Sequence, residues 1–157
     1  MIIAVSGSGI GAGKTTFAER IADEVWSIAG TLRRDLKRAH PQYDWSNKSQ
    51  AYKRDTKVLE WGNDSLREVL YKYGQSKSAA DPAYWIRLLI RDLMERQRIA
   101  DGPKTVAIDD VRKVEELDAL REAYPKMLHV HVVSASSVAE PFDNSALNDL
   151  CDYVVRW

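Results

Sequence analysis

The sequence predicts an α/β domain built on a mostly parallel sheet with helices flanking it. Short β-branched apolar runs alternate with longer stretches of helical character. Four of the eight glycines fall between positions 7 and 13, directly after the first apolar run. With 157 residues the chain is one domain's worth of sequence, expected as a single domain over 1–157 with a core of its own.

In chain order, β-branched runs bounded by breakers predict strands over 2–6, 105–109, 128–133 and 153–155, with a weaker one at 26–29. Helical character marks 14–25, 31–39, 52–73, 82–99 and 114–124. In the fourth of these, Trp85, Leu88, Leu89 and Leu93 recur at helical spacing, and Pro82 sits in the first turn, where proline is tolerated. There is no internal repeat and no low-complexity tract. Ligands of parallel sheets sit at the carboxyl ends of the strands, so functional residues are sought there first.

Composition narrows the function classes. Lys+Arg and Asp+Glu both number 23, so bulk attraction to nucleic acid or to an anionic membrane is not the expected mode of action. A 45% hydrophobic share at zero net charge argues against disorder. No run approaches the ~18–20 apolar residues of a membrane span, and MIIAVSGSG lacks the basic region of a signal peptide. The single cysteine, Cys151, cannot form an intrachain disulfide, suits a reducing cytoplasm and reads as a packed thiol. His129 and His131, two apart on a strand, read as structural, and with His40 they form no metal constellation. The charge balance hides an asymmetry: residues 31–59 carry eight basic and three acidic side chains, a net +5, while 138–157 carry a net −3.

Residues 8–15, SGIGAGKT, follow the first apolar run and precede a helical stretch. They match the phosphate-binding P-loop, G-x-x-x-x-G-K-[ST], at every fixed position but the first, where Ser8 replaces glycine. Gly9, Gly11 and Gly13, with Ala12 between them, let successive backbone N–H groups turn inward toward phosphate oxygens. The following helix adds its N-terminal partial charge at Lys14, Thr15 and Thr16. Lys14 offers a point charge for β- and γ-phosphates, and the Thr15 hydroxyl a ligand for Mg²⁺. Gly7–Ala12 also fits the dinucleotide pattern G-x-G-x-x-[GA]. That reading wants an acidic residue about 20 positions on. Arg33 and Arg34 stand beyond the second strand instead; they would suit a 2′-phosphate, but Lys14-Thr15-Thr16 is left unexplained.

A second centre lies where the strand TVAI runs into Asp109-Asp110-Val111-Arg112. An aspartate at a strand's carboxyl end is what a P-loop enzyme sets against its threonine around Mg²⁺. The plainer role is a helix N-cap, since Asp110 lies just before the next helix. Strand alternation lets only one of the pair point at a metal, and either Asp109 or Asp110 fits.

Together the loop SGIGAGKTT, the segment IDDVRKVEE and the intervening LREVLYKYGQSKSAADPAYW resemble the bacteriophage deoxynucleoside monophosphate kinases, P-loop kinases of the nucleoside monophosphate kinase fold. The family's D-V-R with a glutamate four residues on is matched by Asp110-Val111-Arg112 and Glu116. Its R-x-x-L…G element is matched by Arg67, Leu70 and Gly74, and its D-P-x-Y-W by Asp81, Pro82, Tyr84 and Trp85. Ala29, Leu32 and Arg33 match an early A-x-x-L-[KR], and the resemblance spans roughly residues 2–155. The departures are Ser8, Ser78 near an expected arginine, no arginine in 134–150 where a lid usually supplies them, and Trp157 where an asparagine often follows.

The resemblance implies transfer of the γ-phosphoryl of Mg-ATP to a deoxynucleoside 5′-monophosphate, with Lys14, Asp110 and Arg112 catalytic. It implies an acceptor-binding segment at about 31–99, with Arg33, Arg67, Trp85 and Arg112 on the acceptor. Arg87 and Arg91, on one face of the 82–99 helix, are candidates for the missing phosphate fingers, set against a plainer Arg91–Glu95 surface pair. The expected partners are small-molecule nucleotides, with no membrane and with a homodimer open. The expected location is cytoplasmic, the host's cytoplasm for a viral chain. Two alternatives stand beside this: a related kinase of a modified nucleotide or of a hydroxymethylated base in DNA, the one reading that brings in nucleic acid, and an ATP-binding module with little catalysis. A GTPase is disfavoured because Asn47-Lys48 is followed by Ser49-Gln50 rather than completing N-K-x-D.

Overall fold

The computed structural model describes residues 1–9, 11–47, 49–99, 102–135, 137 and 145–156. Ile10 of the glycine-rich loop, Lys48 of the basic stretch, Glu140 and Asp143 of the acidic one, and Trp157 lie outside the described residues. The chain runs β1 (Ile2–Gly7), α1 (Lys14–Ile21), β2 (Glu24–Trp26), α2 (Ile28–Ala39), α3 (Gln50–Asp55) and β3 (Lys57–Val58). After a 3₁₀ turn at Leu59–Trp61 come β4 (Asp64–Ser65), α4 (Leu66–Ser78), α5 (Tyr84–Gln97) and β5 (Val106–Ile108). It continues through α6 (Val114–Ala123), β6 (Leu128–Val133), α7 (Ser145–Asp149) and β7 (Tyr153–Arg156). Two compact units result, one of Met1–Ile28 with Ile86–Trp157 and one of Ala29–Trp85. Among the described residues no helix is long and apolar enough to cross a membrane.

The first unit holds a five-stranded sheet in the order β2-β5-β1-β6-β7, every neighbouring pair parallel. β1 lies in the middle with all six residues buried, as a parallel strand covered on both faces requires. Phe17, Ala18 and Ala22 of α1 and its end pack on Ile3, Val5, Ala107, Val130 and Val132. The chain leaves β1 toward β2 and leaves β6 toward β7, in opposite directions across the sheet. Such a reversal marks the carboxyl ends of β1 and β6 as the usual ligand position in sheets of this kind.

The second unit gathers α2, α3, the β3–β4 hairpin and α4 around Leu36, Trp45, Val58, Leu66 and Val69. The helix expected over 52–73 is not one helix. It breaks into α3, the antiparallel pair Lys57↔Ser65 and Val58↔Asp64, and α4. Gly62 and Asn63, both at φ 66°, turn the chain in the left-handed region that a helix excludes. Ser65 then caps α4: its hydroxyl accepts the Glu68 N–H at 3.3 Å while the Glu68 carboxylate accepts the Ser65 N–H at 2.7 Å. The S-x-x-E signature was present at 65–68, inside a run whose apolar spacing suggested continuity. Other boundaries move: α1 stops at Ile21 because Val25 pairs with Ala107, the strand expected at 26–29 is Glu24–Trp26, α2 starts at Ile28, and the helix expected over 82–99 is Tyr84–Gln97.

Candidate functional site

The loop after β1 is shaped by its glycines. A Cβ on Gly7 would meet the Val132 carbonyl oxygen at 2.8 Å and Lys14 Cγ at 2.9 Å, so only glycine lets the chain pass beside β6. Gly11 and Gly13, at φ 82° and 85°, adopt the left-handed conformation that glycine takes without strain. Gly13 is the N-cap of α1 and has no side chain to satisfy that helix's first turn. The turn at Lys14, Thr15 and Thr16 is therefore suited to an external anion. The Lys14 ammonium folds back across the loop and donates to the Gly9 carbonyl at 2.9 Å. Ala12 is buried, so it packs beneath the loop.

Thr15 Oγ1 donates to Asp109 Oδ2 at 2.6 Å, joining the start of α1 to the end of β5. Asp109 Oδ1 is buried and, among the described residues, has no hydrogen-bond partner. Asp110 faces elsewhere, its Oδ1 accepting the Ile28 N–H at 2.7 Å. Of the two aspartates that sequence left open, Asp109 is the one brought to Thr15. A hydroxyl beside a carboxylate with a buried, unpaired oxygen makes a set of hard donors of the kind Mg²⁺ takes.

Arg112 is exposed on the turn between β5 and α6, and its N–H donates to Glu116 Oε2 at 2.8 Å. The Lys113 N–H donates to the same oxygen at 3.1 Å. Burial pushes the Glu116 carboxyl up to about 7; the negative Asp110 adds to this, and the two backbone donors oppose it. A carboxyl raised on folding contributes stability below its unfolded value and loses it as pH rises through about 7. Glu116→Gln keeps an acceptor for the N–H groups and removes the charge. Its thermal midpoint relative to the unmodified chain is expected to rise from pH 5 to pH 8; a constant difference would refute the assignment.

Ser8, the departure from the loop pattern, shares a 2.9 Å hydrogen bond with Ser137 Oγ, and its hydroxyl accepts the Ser134 N–H at 3.4 Å. Below it a buried chain links β1 to β6. His129 Nδ1 faces the Leu150 carbonyl at 3.3 Å and must donate to it, which leaves Nε2 to accept the Ser6 hydroxyl proton at 2.8 Å. Ser6 Oγ then accepts from His131 Nδ1 at 2.8 Å. Burial lowers both imidazoles below the ordinary histidine value, helped at His131 by Lys14 and at His129 by Arg121. Groups kept neutral in this way contribute stability above the unfolded value near 6.5 and lose it as pH falls below that. Ser6→Ala leaves two buried ring nitrogens unpaired and is expected to cost about 1–3 kcal/mol in urea unfolding at pH 7.5. A midpoint equal to that of the unmodified chain would dismiss the network.

In the second unit Arg33 stands on α2, half-buried, and Arg67 in the first turn of α4, exposed. Lys53 of α3, missed as a site residue, joins them: burial lowers its pKa, and the nearby Arg33 and Arg67 lower it further. Only its membership of the basic stretch 31–59 had marked it. Trp85 is 5% exposed and its indole N–H donates to the Gly74 carbonyl at 3.1 Å, with Tyr73 and Tyr84 around it. That is a core position, and Tyr84 is the more exposed ring of the pair. In the first unit, Arg87 lines a cavity with Ile90 and with Ala119, Glu122 and Ala123 of α6. Arg91 pairs with Asp92 at 3.0 Å, where the sequence pointed to Glu95.

The first unit is thus a five-stranded parallel α/β sheet with a glycine-rich loop and a Thr–Asp pair at one end of its central strands. Compared with models of protein families and with curated proteins, the chain matches none.

Proposed function

We propose that the chain is a Mg-ATP-dependent P-loop kinase that phosphorylates a deoxynucleoside 5′-monophosphate to the diphosphate. The observation that carries this reading is the Thr15–Asp109 pair with its unpaired buried oxygen, beside a loop whose glycines turn in the left-handed region. In this reading the N–H groups of the loop and of the start of α1, at residue 9 and residues 11–16, take the donor's phosphates. Lys14 exchanges its bond to Gly9 for the β- and γ-phosphate oxygens. Thr15 and Asp109 hold Mg²⁺, which when bound neutralises charge on those phosphates. Arg33 and Arg67 take the acceptor phosphate through their planar forks. Arg112, exposed where β5 ends, takes the transferring group, and the Glu116 carboxylate fixes its backbone.

ADP release from Mg-ATP tests the reading against the four deoxynucleoside monophosphates, their ribose counterparts and hydroxymethylated DNA. Transfer to a deoxynucleoside monophosphate supports it. Transfer to DNA alone, or ATP binding without transfer to any acceptor, overturns it. Arg67→Ala is expected to weaken the acceptor by ~1.5–3 kcal/mol, read as a higher KM for the monophosphate with KM for ATP little changed. Equal effects on both substrates would assign Arg67 to folding instead.

A further inference from the structure

We propose that Arg33, Lys53 and Arg67 together form a site for one phosphomonoester dianion, and that Lys53 makes this site prefer the dianion over a phosphodiester. The identity of the ligand as a nucleotide rests on the kinase reading; the charge preference rests on the cluster itself.

The three cations come from three different helices. The residues just before them, Leu32, Tyr52 and Leu66, pack into one apolar cluster, so the three cations are carried at the border of a single core. α3 lies against α4, and the Leu66 N–H at the start of α4 donates to the Thr56 carbonyl just after α3 at 3.1 Å, so Lys53 and Arg67 lie close enough to repel. Among the described residues none of the three makes an ion pair or a side-chain hydrogen bond. Their neighbours differ: Arg54 is paired with Asp55 at 2.8 Å and Lys72 with Asp64 at 2.6 Å. Among the described residues, carboxylates pair with these nearby cations and none pairs with this group.

Like charges held together and partly desolvated oppose one another, and the lowered pKa of Lys53 registers that opposition. A bound anion relieves it, and relieves it more the greater its charge. A phosphomonoester carries about −1.5 to −2 at pH 7, whereas each phosphodiester of a nucleic acid carries one negative charge. Two guanidinium forks address the oxygens in a plane, and the compact ammonium adds a point charge. The group therefore suits the terminal phosphate of a mononucleotide and disfavours the internal phosphates of a DNA strand.

The test compares binding of each deoxynucleoside 5′-monophosphate with binding of its 5′-methyl phosphodiester, by calorimetry on the full chain at neutral pH. The unmodified chain is expected to bind the monoester about tenfold or more tighter. Lys53→Met should weaken the monoester by roughly 10- to 100-fold and leave the diester near its original affinity. Lys53→Arg, which keeps the charge, should retain most of the preference. Equal affinity for both ligands in the unmodified chain overturns the proposal without any variant, as does equal weakening of both by Lys53→Met with a folded circular dichroism spectrum. If no phosphoryl transfer occurs with any acceptor while the Lys53-dependent preference persists, the kinase reading falls and this site stands. Transfer to a monophosphate with the preference intact in Lys53→Met has the opposite meaning.

Discussion

Lys14→Ala is expected to lower phosphoryl transfer from Mg-ATP by on the order of 10²-fold or more while leaving the protein folded. The side chain's hydrogen bond to the Gly9 carbonyl is local to the loop, so its loss leaves the packing of α1 on the sheet intact. What disappears is a positive charge placed where negative charge gathers during transfer. Steady-state turnover with the best acceptor measures this. A folded variant with unchanged turnover would remove the phosphate-binding role from the loop. A second readout needs no turnover: Lys14 helps depress the His131 imidazole, so in Lys14→Ala that group should titrate at higher pH by NMR.

Asp109→Asn is expected to reduce kcat by on the order of 10²-fold or more and to raise the Mg²⁺ concentration needed for half-maximal rate. Asparagine keeps an oxygen for the Thr15 hydroxyl, so the contact between α1 and β5 survives while the charge is lost. Asp110→Asn is the matched control. Its side-chain oxygen holds the Ile28 N–H, a task an amide oxygen also performs, and its effect should be much smaller. A Mg²⁺ titration on both variants separates the two aspartates. Collapse in Asp110→Asn with near-normal behaviour in Asp109→Asn would transfer the metal assignment to Asp110.

Features that depend on short stretches of chain were legible in the sequence. The glycine-rich loop is one, because left-handed turns and a helix start are set by residues a few positions apart. The central strand at 2–6 is another, since a strand covered on both faces shows as an apolar run, here Ile2–Val5. The hairpin within 52–73 was missed for a related reason. Its amphipathic spacing on either side continued a helical period, and the turn rested on Gly62 and Asn63 alone.

What the sequence by itself determined is the α/β alternation, the parallel sheet, the place of the loop and the pair of aspartates that face it or its neighbours. Only the tertiary structure decided which aspartate meets Thr15, because that depends on how β5 lies beside the start of α1. It also decided that Ser6 stands between two imidazoles, which follows from the pairing of Ser6 with His131 across β1 and β6. The grouping of Lys53 with Arg33 and Arg67 was invisible for the same reason. Side chains 14 to 34 positions apart become neighbours only when apolar residues beside them share a core, and the pattern of charges along a chain does not record which stems that core gathers.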